Sequence, residues 1–263
     1  MEKDNIHPTA IIHPDARTAP DVRIGPYTVI GPGVVLKDNV EIMSHCHIDG
    51  NTVIGAGTRI FPGSVIGTPP QDKKYRDGDK VSLEIGEKNV FREHVMINMG
   101  TLDGGGKTVI GNGNLFMAYS HVAHDCRVGN NCVFANAATL AGHVHVDDGA
   151  VIGGLTAIHQ FVRVGKYVMI GGCSRVIQDV VPFALCSDPQ TRIFGVNAVG
   201  LKRAGFSSEA ILNIKRAFKL LFFSGLSRPH ALETIKSELT ITDDLQCLID
   251  FAQTSRRGFM TAR

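Results

Sequence analysis

An aliphatic residue returning about every six positions constrains this chain more than any other feature. The beat runs Ile24, Ile30, Leu36, Ile42, Ile48, Ile54, Ile60, Ile66, resumes at Ile85, Phe91, Ile97, and resumes again from Ile110 through Phe116, Val122, Val128, Phe134, Leu140, Val146, Ile152, Ile158, Val164, Ile170 and Val176. A helical face needs spacings of three and four, and a two-sided strand needs strict alternation. A period of six, with glycine often just after the beat residue as in IGPYTV, IGPGVV, VGNNCV and VGKYVM, means short strands separated by turns. Each hexad can form one flat side with its aliphatic residue inward. Three sides close a prism whose coils of about eighteen residues stack at strand spacing, about 4.8 Å. The fold class expected is an all-β parallel solenoid.

The rhythm breaks twice. TPPQDKKYRDGDKVSLE, between Ile66 and Ile85, is about thirteen residues too long for one hexad, and MGTLDGGGKTV, after Ile97, about seven too long. Two insertion loops are therefore expected, near 67–84 and 100–107. Polar, glycine-rich excursions from a rigid coil can carry binding residues or be tolerated surface loops. After about Val181 the beat stops, and FALCSDPQTRIFGVNAVG reads as a linker. FSSEAILNIKRAFKLLFFSG then puts Ile211, Ile214, Phe218 and Leu221 on one helical face, with Ser207 or Ser208 as cap and Gly225 as stop. RPHALETIKSEL and TDDLQCLIDFAQTS predict two shorter helices, the first with proline near its start and the second with an aspartate cap. The organisation expected is a solenoid over 1–190 and a small helical domain over 191–263.

Composition excludes some classes. A formal net charge of +2 gives no field strong enough for nucleic acid, although a local basic cluster can still meet an acidic partner. The six cysteines form no CxxC and no charged-then-apolar leader precedes them, which predicts reduced thiols in a cytoplasmic protein. No apolar run is long enough to span a membrane.

The hexad register turns sequence into geometry. Residues eighteen apart stack on consecutive coils, so His124 shares a column with Gly142 and Gln160, and Asp125 shares one with His143 and Phe161. The Gly142 N–H then lies about one strand spacing, about 4.8 Å, from the His124 backbone. That suits a base beside an oxyanion donor, since imidazole takes a proton near neutral pH and a fixed N–H stabilises a developing oxyanion. His121, His124, His143, His145 and His159 all fall within three coils. Hydrogen-bonded surface histidines, or a zinc or iron site of carbonic-anhydrase type built from adjacent turns, fit the same spacing. Cys126 and Cys132 occupy an inward position of successive hexads and read as packing residues.

The segments IHPTAII, PPQDKKY, HVAHDCRVGN, NAATLAGHV, IGGLTAIHQFVRVG, MIGGCS and FGVNAVGLKRAGF, in that order, resemble the UDP-N-acetylglucosamine O-acyltransferases, a family of hexapeptide-repeat acyltransferases. The resemblance covers nearly the whole chain and implies a left-handed parallel β-helix with a C-terminal α-helical domain. It implies transfer of a (3R)-hydroxyacyl chain from acidic acyl carrier protein to the 3-hydroxyl of UDP-N-acetylglucosamine, the first step of lipid A synthesis. His124 is then the base, Asp125 its orienting partner and Gly142 the oxyanion donor. Gln71, Asp72, Lys74, His121, His143, His159, Gln160, Asn197 and Arg203 are the implied contacts to sugar, diphosphate and uracil. Met169 and Gly172 would border the acyl groove, with Gln190 at its end.

The family's sites lie between subunits of a homotrimer, and no cofactor or metal is expected. Lys202, Arg203, Lys215, Arg216, Lys219, Arg256 and Arg257 form a basic tail able to attract the carrier protein. The N-acyltransferase relative carries an extra N-terminal domain, and hexads starting near Ile6 leave no room for one. Three positions depart from the family pattern: Asn98 and Gln190, where histidine is common, and Ala204, where a second arginine often follows Arg203. Neither acyl length nor the choice between a 3-hydroxyl and a 3-amino acceptor can be read from these residues.

Overall fold

The computed structural model describes residues 5–187 and 192–262. From Ile11 to Val176 short strands enter three sheets in rotation, and among the described residues these sheets hold nine, eight and ten strands. Within this stretch all pairs are parallel. In the uninterrupted coils partners are eighteen apart, as in the ladder Val122, Leu140, Ile158, Val176. The beat residues point into the prism and are buried. Phe91, Phe116 and Phe134 stack inside it, with centroids 5.0 and 4.6 Å apart. Burial of each such side chain contributes roughly 1.5–3 kcal/mol.

The corners follow one rule. Two residues after the beat residue the backbone N–H has no backbone partner in the regular coils, so proline fits there at Pro26, Pro32 and Pro62, and the N–H groups of His124, Gly142 and Gln160 stay unbonded; Met99, at the root of the second insertion, instead donates to Thr68 O at 3.1 Å. Three residues after it the chain turns through the left-handed region, with φ 60° at Asp125, 61° at His143 and 64° at Phe161. This conformation costs a non-glycine residue roughly 1–2 kcal/mol, which the stacked neighbours offset. Small residues tuck under the corners and donate to their carbonyls: Thr28 Oγ1 to Met43 O at 2.6 Å, Cys126 Sγ to Ala141 O and Cys132 Sγ to Asp147 O, both at 3.2 Å. Burial pushes both thiols up to about 12, so Cys126 and Cys132 pack rather than react.

The first insertion is shorter than expected, and the second keeps its expected length but begins one residue earlier. Strands Val65–Thr68 and Ser82–Ile85 leave a loop over 69–81, and Met96–Asn98 and Lys107–Ile110 leave one over 99–106. The loop roots extend the ladders because Ser82–Ile85 is hydrogen-bonded on both sides, to Thr52–Ile54 and to Lys107–Ile110.

The described parts of the expected linker are also structured. Ala184–Ser187 continues the ladder beyond Met169–Ile170 and pairs antiparallel with Arg192–Val196. Helix α1 (Ala198–Arg203) follows directly. An antiparallel arm closing the end of a prism has no reason to keep a hexad beat.

Helix α2 (Ser208–Phe223) is capped by Ser207, buries Ile214, Ala217, Phe218 and Leu221, and is followed by Gly225 at φ 77°. Helix α3 (Arg228–Glu238) has proline in its first turn. Helix α4 (Asp243–Thr254) is capped by Thr242 and not by an aspartate. The extended Thr242 backbone lets its Oγ1 accept from Leu245 N, and Asp243 and Asp244 fill the first turn, where the helix dipole favours acids.

The tail docks on the coil through Arg163, whose guanidinium lies 4.3 Å from the Phe251 ring centroid and donates to Thr254 Oγ1 at 3.0 Å. Buried Asp179 joins the same parts, accepting from Arg163 N at 2.9 Å and Ser255 Oγ at 2.8 Å. No helix among the described residues is long and apolar enough to cross a membrane.

Candidate active site

His124 stands at the corner that follows strand His121–Val122, and its ring is held from two sides. Below it the corner of the next coil is glycine: a Cβ on Gly142 would fall 2.6 Å from His124 Cε1 and 2.7 Å from Nε2. Only glycine lets the ring lie against that backbone, beside the unbonded Gly142 N–H. On its other side His124 Nδ1 is 2.7 Å from Asp125 Oδ2. As a carboxylate Asp125 only accepts, so Nδ1 carries the hydrogen and Nε2 is left with a lone pair.

Asp125 itself is gripped by the second insertion. Thr101 donates twice, from its N–H to Oδ1 at 2.8 Å and from its Oγ1 to Oδ2 at 2.7 Å. Thr108 Oγ1 accepts from Asp125 N at 2.8 Å. Gly104 closes the lid, since a Cβ there would sit 2.0 Å from Asp125 Cγ. The Asp125 side chain is 0% exposed, so its charge rests on these bonds. Thr101→Val keeps the N–H and removes the hydroxyl. We expect kcat to fall about tenfold with the acidic limb of the pH profile displaced, and Thr101→Ser to restore both.

His143 lies in the Asp125 column. It stacks on Phe161 at 4.4 Å, meets His124 edge-on at 5.1 Å and keeps Nε2 3.7 Å from Asp125 Oδ2. Burial is the main cause that holds its pKa below the ordinary histidine value. Burial does the same for His121, with the charge of His124 adding to it. His121 Nδ1 is buried without a hydrogen-bond partner among the described residues, an open position that a bound polar group would satisfy.

The first insertion reaches the same place. Asp72 Oδ2 lies 4.0 Å from His124 Nε2, while Oδ1 accepts from Lys74 N at 2.9 Å; that bond is the largest cause lowering the Asp72 pKa. Gln71 Nε2 contacts Met96 Sδ at 3.2 Å, and Lys74 Nζ meets Asp103 Oδ2 at 3.4 Å, bridging the two insertions. Asn98 anchors the root of the first loop, donating from Nδ2 to Thr68 Oγ1 at 3.1 Å and Pro69 O at 3.0 Å; its Oδ1 is buried and unpartnered among the described residues.

The other candidates lie further off. His159 and Gln160 are exposed two coils on from His121 and His124, with His159 Nδ1 3.1 Å from Gln160 O and 3.4 Å from Arg257 Nη2. His145 faces outward on a different sheet, between Arg127 and Arg163. Met169 and Gly172 belong to the corner that enters the nine-stranded sheet, opposite the corner holding His124. Asn197 caps α1, accepting from Gly200 N at 3.1 Å and donating to Tyr167 O at 2.9 Å, and Arg203 is exposed at the helix end. Gln190 lies outside the described residues. Thr101 and Gly104 went unread in the sequence, because an insertion has no register from which to place them, and Thr108, in the strand Lys107–Ile110, went unread as well.

The metal-site geometry is present in outline: His124, Asp125 and His143 offer ligand atoms within 4.8 Å of one another. However, His124 Nδ1 and both Asp125 oxygens are already spent on each other and on Thr101. The set is an imidazole oriented by a buried carboxylate, with few atoms left for a cage.

An imidazole seated against a backbone N–H at the corner of a hexad prism fits the hexapeptide-repeat transferases. The model for bacterial transferase hexapeptide repeats matches residues 5–38 and 107–142, and the model described as UDP N-acetylglucosamine O-acyltransferase, domain 2, matches residues 179–260. LpxA of Acinetobacter baumannii is 42% identical, covering 98% of this chain and 100% of that one with a TM-score of 0.94. LpxA of Bacteroides fragilis, a UDP-N-acetylglucosamine acyltransferase, is 40% identical over 97% of this chain and 99% of its own, at 0.94. The Arabidopsis UDP-N-acetylglucosamine acyltransferase is 32% identical over 97% and 100%, at 0.86. This chain belongs to the UDP-N-acetylglucosamine acyltransferase family, and the coil is a left-handed parallel β-helix.

Proposed function

We propose that the enzyme moves a (3R)-hydroxyacyl chain from acyl carrier protein to the 3-hydroxyl of UDP-N-acetylglucosamine, opening lipid A synthesis in the cytoplasm. The observation that carries this is the relay Thr101, Asp125, His124, ending at an Nε2 poised over Gly142. The sugar O–H gives its proton to Nε2 as the oxygen attacks the thioester carbonyl, and the oxyanion is held by Gly142 N–H. Collapse breaks the C–S bond, and the imidazolium returns its proton to the leaving thiolate. Asp125 stabilises the imidazolium meanwhile.

Gln71, Asp72, His121, His143 and Gln160 hold the sugar. Lys74, His159, Asn197 and Arg203 serve the diphosphate and uracil, the last two from a neighbouring subunit of a homotrimer. The acyl chain crosses the nine-stranded sheet toward Met169 and Gly172, with Gln190 beyond them, and an open glycine corner there favours a long chain. Mass spectrometry with a ladder of 3-hydroxyacyl carrier proteins and both 3-hydroxyl and 3-amino acceptors tests this. The expected product is the O-acyl nucleotide sugar. Exclusive N-acylation of the amino acceptor, or no transfer from any carrier-bound donor, would overturn the reading.

A further inference from the structure

The wall beside the proposed base carries cations that the chemistry above does not use. In the ladder Arg17, Val35, Val53, Glu84, Val109, Arg127, His145, Arg163, the last three are basic cross-strand neighbours on consecutive coils. The fixed charges in this run are Arg127 and Arg163, on either side of His145, and like charges this close call for a counter-charge. Arg163 is engaged with Phe251 and Thr254. The exposed side chains of Arg127 and Arg256 have no hydrogen bond or ion pair among the described residues. After burial, the charges of Arg127 and Arg163 hold His145 below its ordinary value, as expected of crowded cations.

These residues and Arg257 line a groove of about 630 Å³ that ends on Gly104, Asp125, His143 and Phe161. Its two acids do not neutralise it. Asp125 is spent on Thr101 and His124, Asp179 on Arg163 N and Ser255, and both are buried. Asp147, Asp243 and Asp250 line a separate groove, which Arg163 also borders. The arrangement is a cationic trough with one end at the base.

We infer that this trough docks the acidic carrier protein: Arg127, Arg256 and Arg257 meet its carboxylates, and the trough delivers the thioester toward His124. The inference rests on the carrier-bound donor proposed above. It is specific about place, choosing the end of the tail beside the coil over the exposed face of α2.

The test is the charge-reversed pair Arg127→Glu, Arg256→Glu, assayed with the carrier-bound donor and with the same acyl group on free pantetheine. KM for the carrier protein should rise about tenfold or more, and the salt dependence of kcat/KM should flatten. KM for UDP-N-acetylglucosamine and turnover of the pantetheine thioester should stay within about twofold. The neutral pair Arg127→Gln, Arg256→Gln should give an intermediate rise, about threefold.

An unchanged KM for the carrier protein would overturn the docking. So would a rise in KM for the nucleotide sugar alone, which would assign the trough to the diphosphate. Equal loss with both donors would make the arginines structural. Wild-type enzyme that used pantetheine thioester but no carrier protein would overturn the donor reading and this docking with it.

Discussion

A His124→Ala variant should lose roughly 10³-fold in kcat, about 4 kcal/mol of transition-state stabilisation, because no other group is both hydrogen-bonded to Asp125 through its far nitrogen and seated against the Gly142 backbone to take the proton. Asp72 is the nearest alternative, 4.0 Å from Nε2, but the Lys74 N–H lowers its pKa and makes it a weaker base still. The KM for UDP-N-acetylglucosamine should change little, since the sugar is held by several other side chains. Steady-state kinetics with each substrate varied would show this, with circular dichroism confirming an intact coil. Normal turnover by the variant would remove His124 from the mechanism.

Gly142→Ala should be nearly as damaging although it adds only a methyl group. The new Cβ would lie 2.6, 2.7 and 3.2 Å from three atoms of the His124 ring, closer than carbon contacts allow. The ring must leave the backbone N–H, or the corner must open and carry that N–H away. Either way base and oxyanion donor part, and kcat/KM should fall roughly 10²-fold, about 2.7 kcal/mol. The melting temperature should barely move, because the corner is not in the apolar core. A variant with full activity would show that ring and donor need not touch.

The hexad beat made the solenoid legible because one buried residue per side is a demand that every coil must meet, from Ile24 to Val176. The same arithmetic stacked Gly142 on His124 and His143 on Asp125 before any coordinates. What period cannot supply is the path of a chain that leaves the coil. Thr101 and Gly104 reach Asp125 only because the second insertion folds back, and Lys74 meets Asp103 only because both insertions do. The antiparallel arm over Ala184–Ser187 and Arg192–Val196 was hidden for a related reason, since a chain reversing at the prism's end breaks the rhythm. The helices were readable from their apolar faces, while the α4 cap differed by one residue because threonine and aspartate can do the same work there.

The unbonded N–H groups along the His124 edge have a wider meaning, because on another edge Glu87, Asn112 and Asn130 donate theirs to side chains. A row of equivalent donors runs up one edge of the prism, at His124, Gly142 and Gln160 among others. The donor assigned to the proposed oxyanion is thus one of a repeated set in the architecture, and the proposed chemistry depends on which of them is furnished. Shifting the histidine by one coil would find another idle N–H but no Thr101 and no Asp125. The solenoid offers many addresses, and the insertion makes one of them habitable.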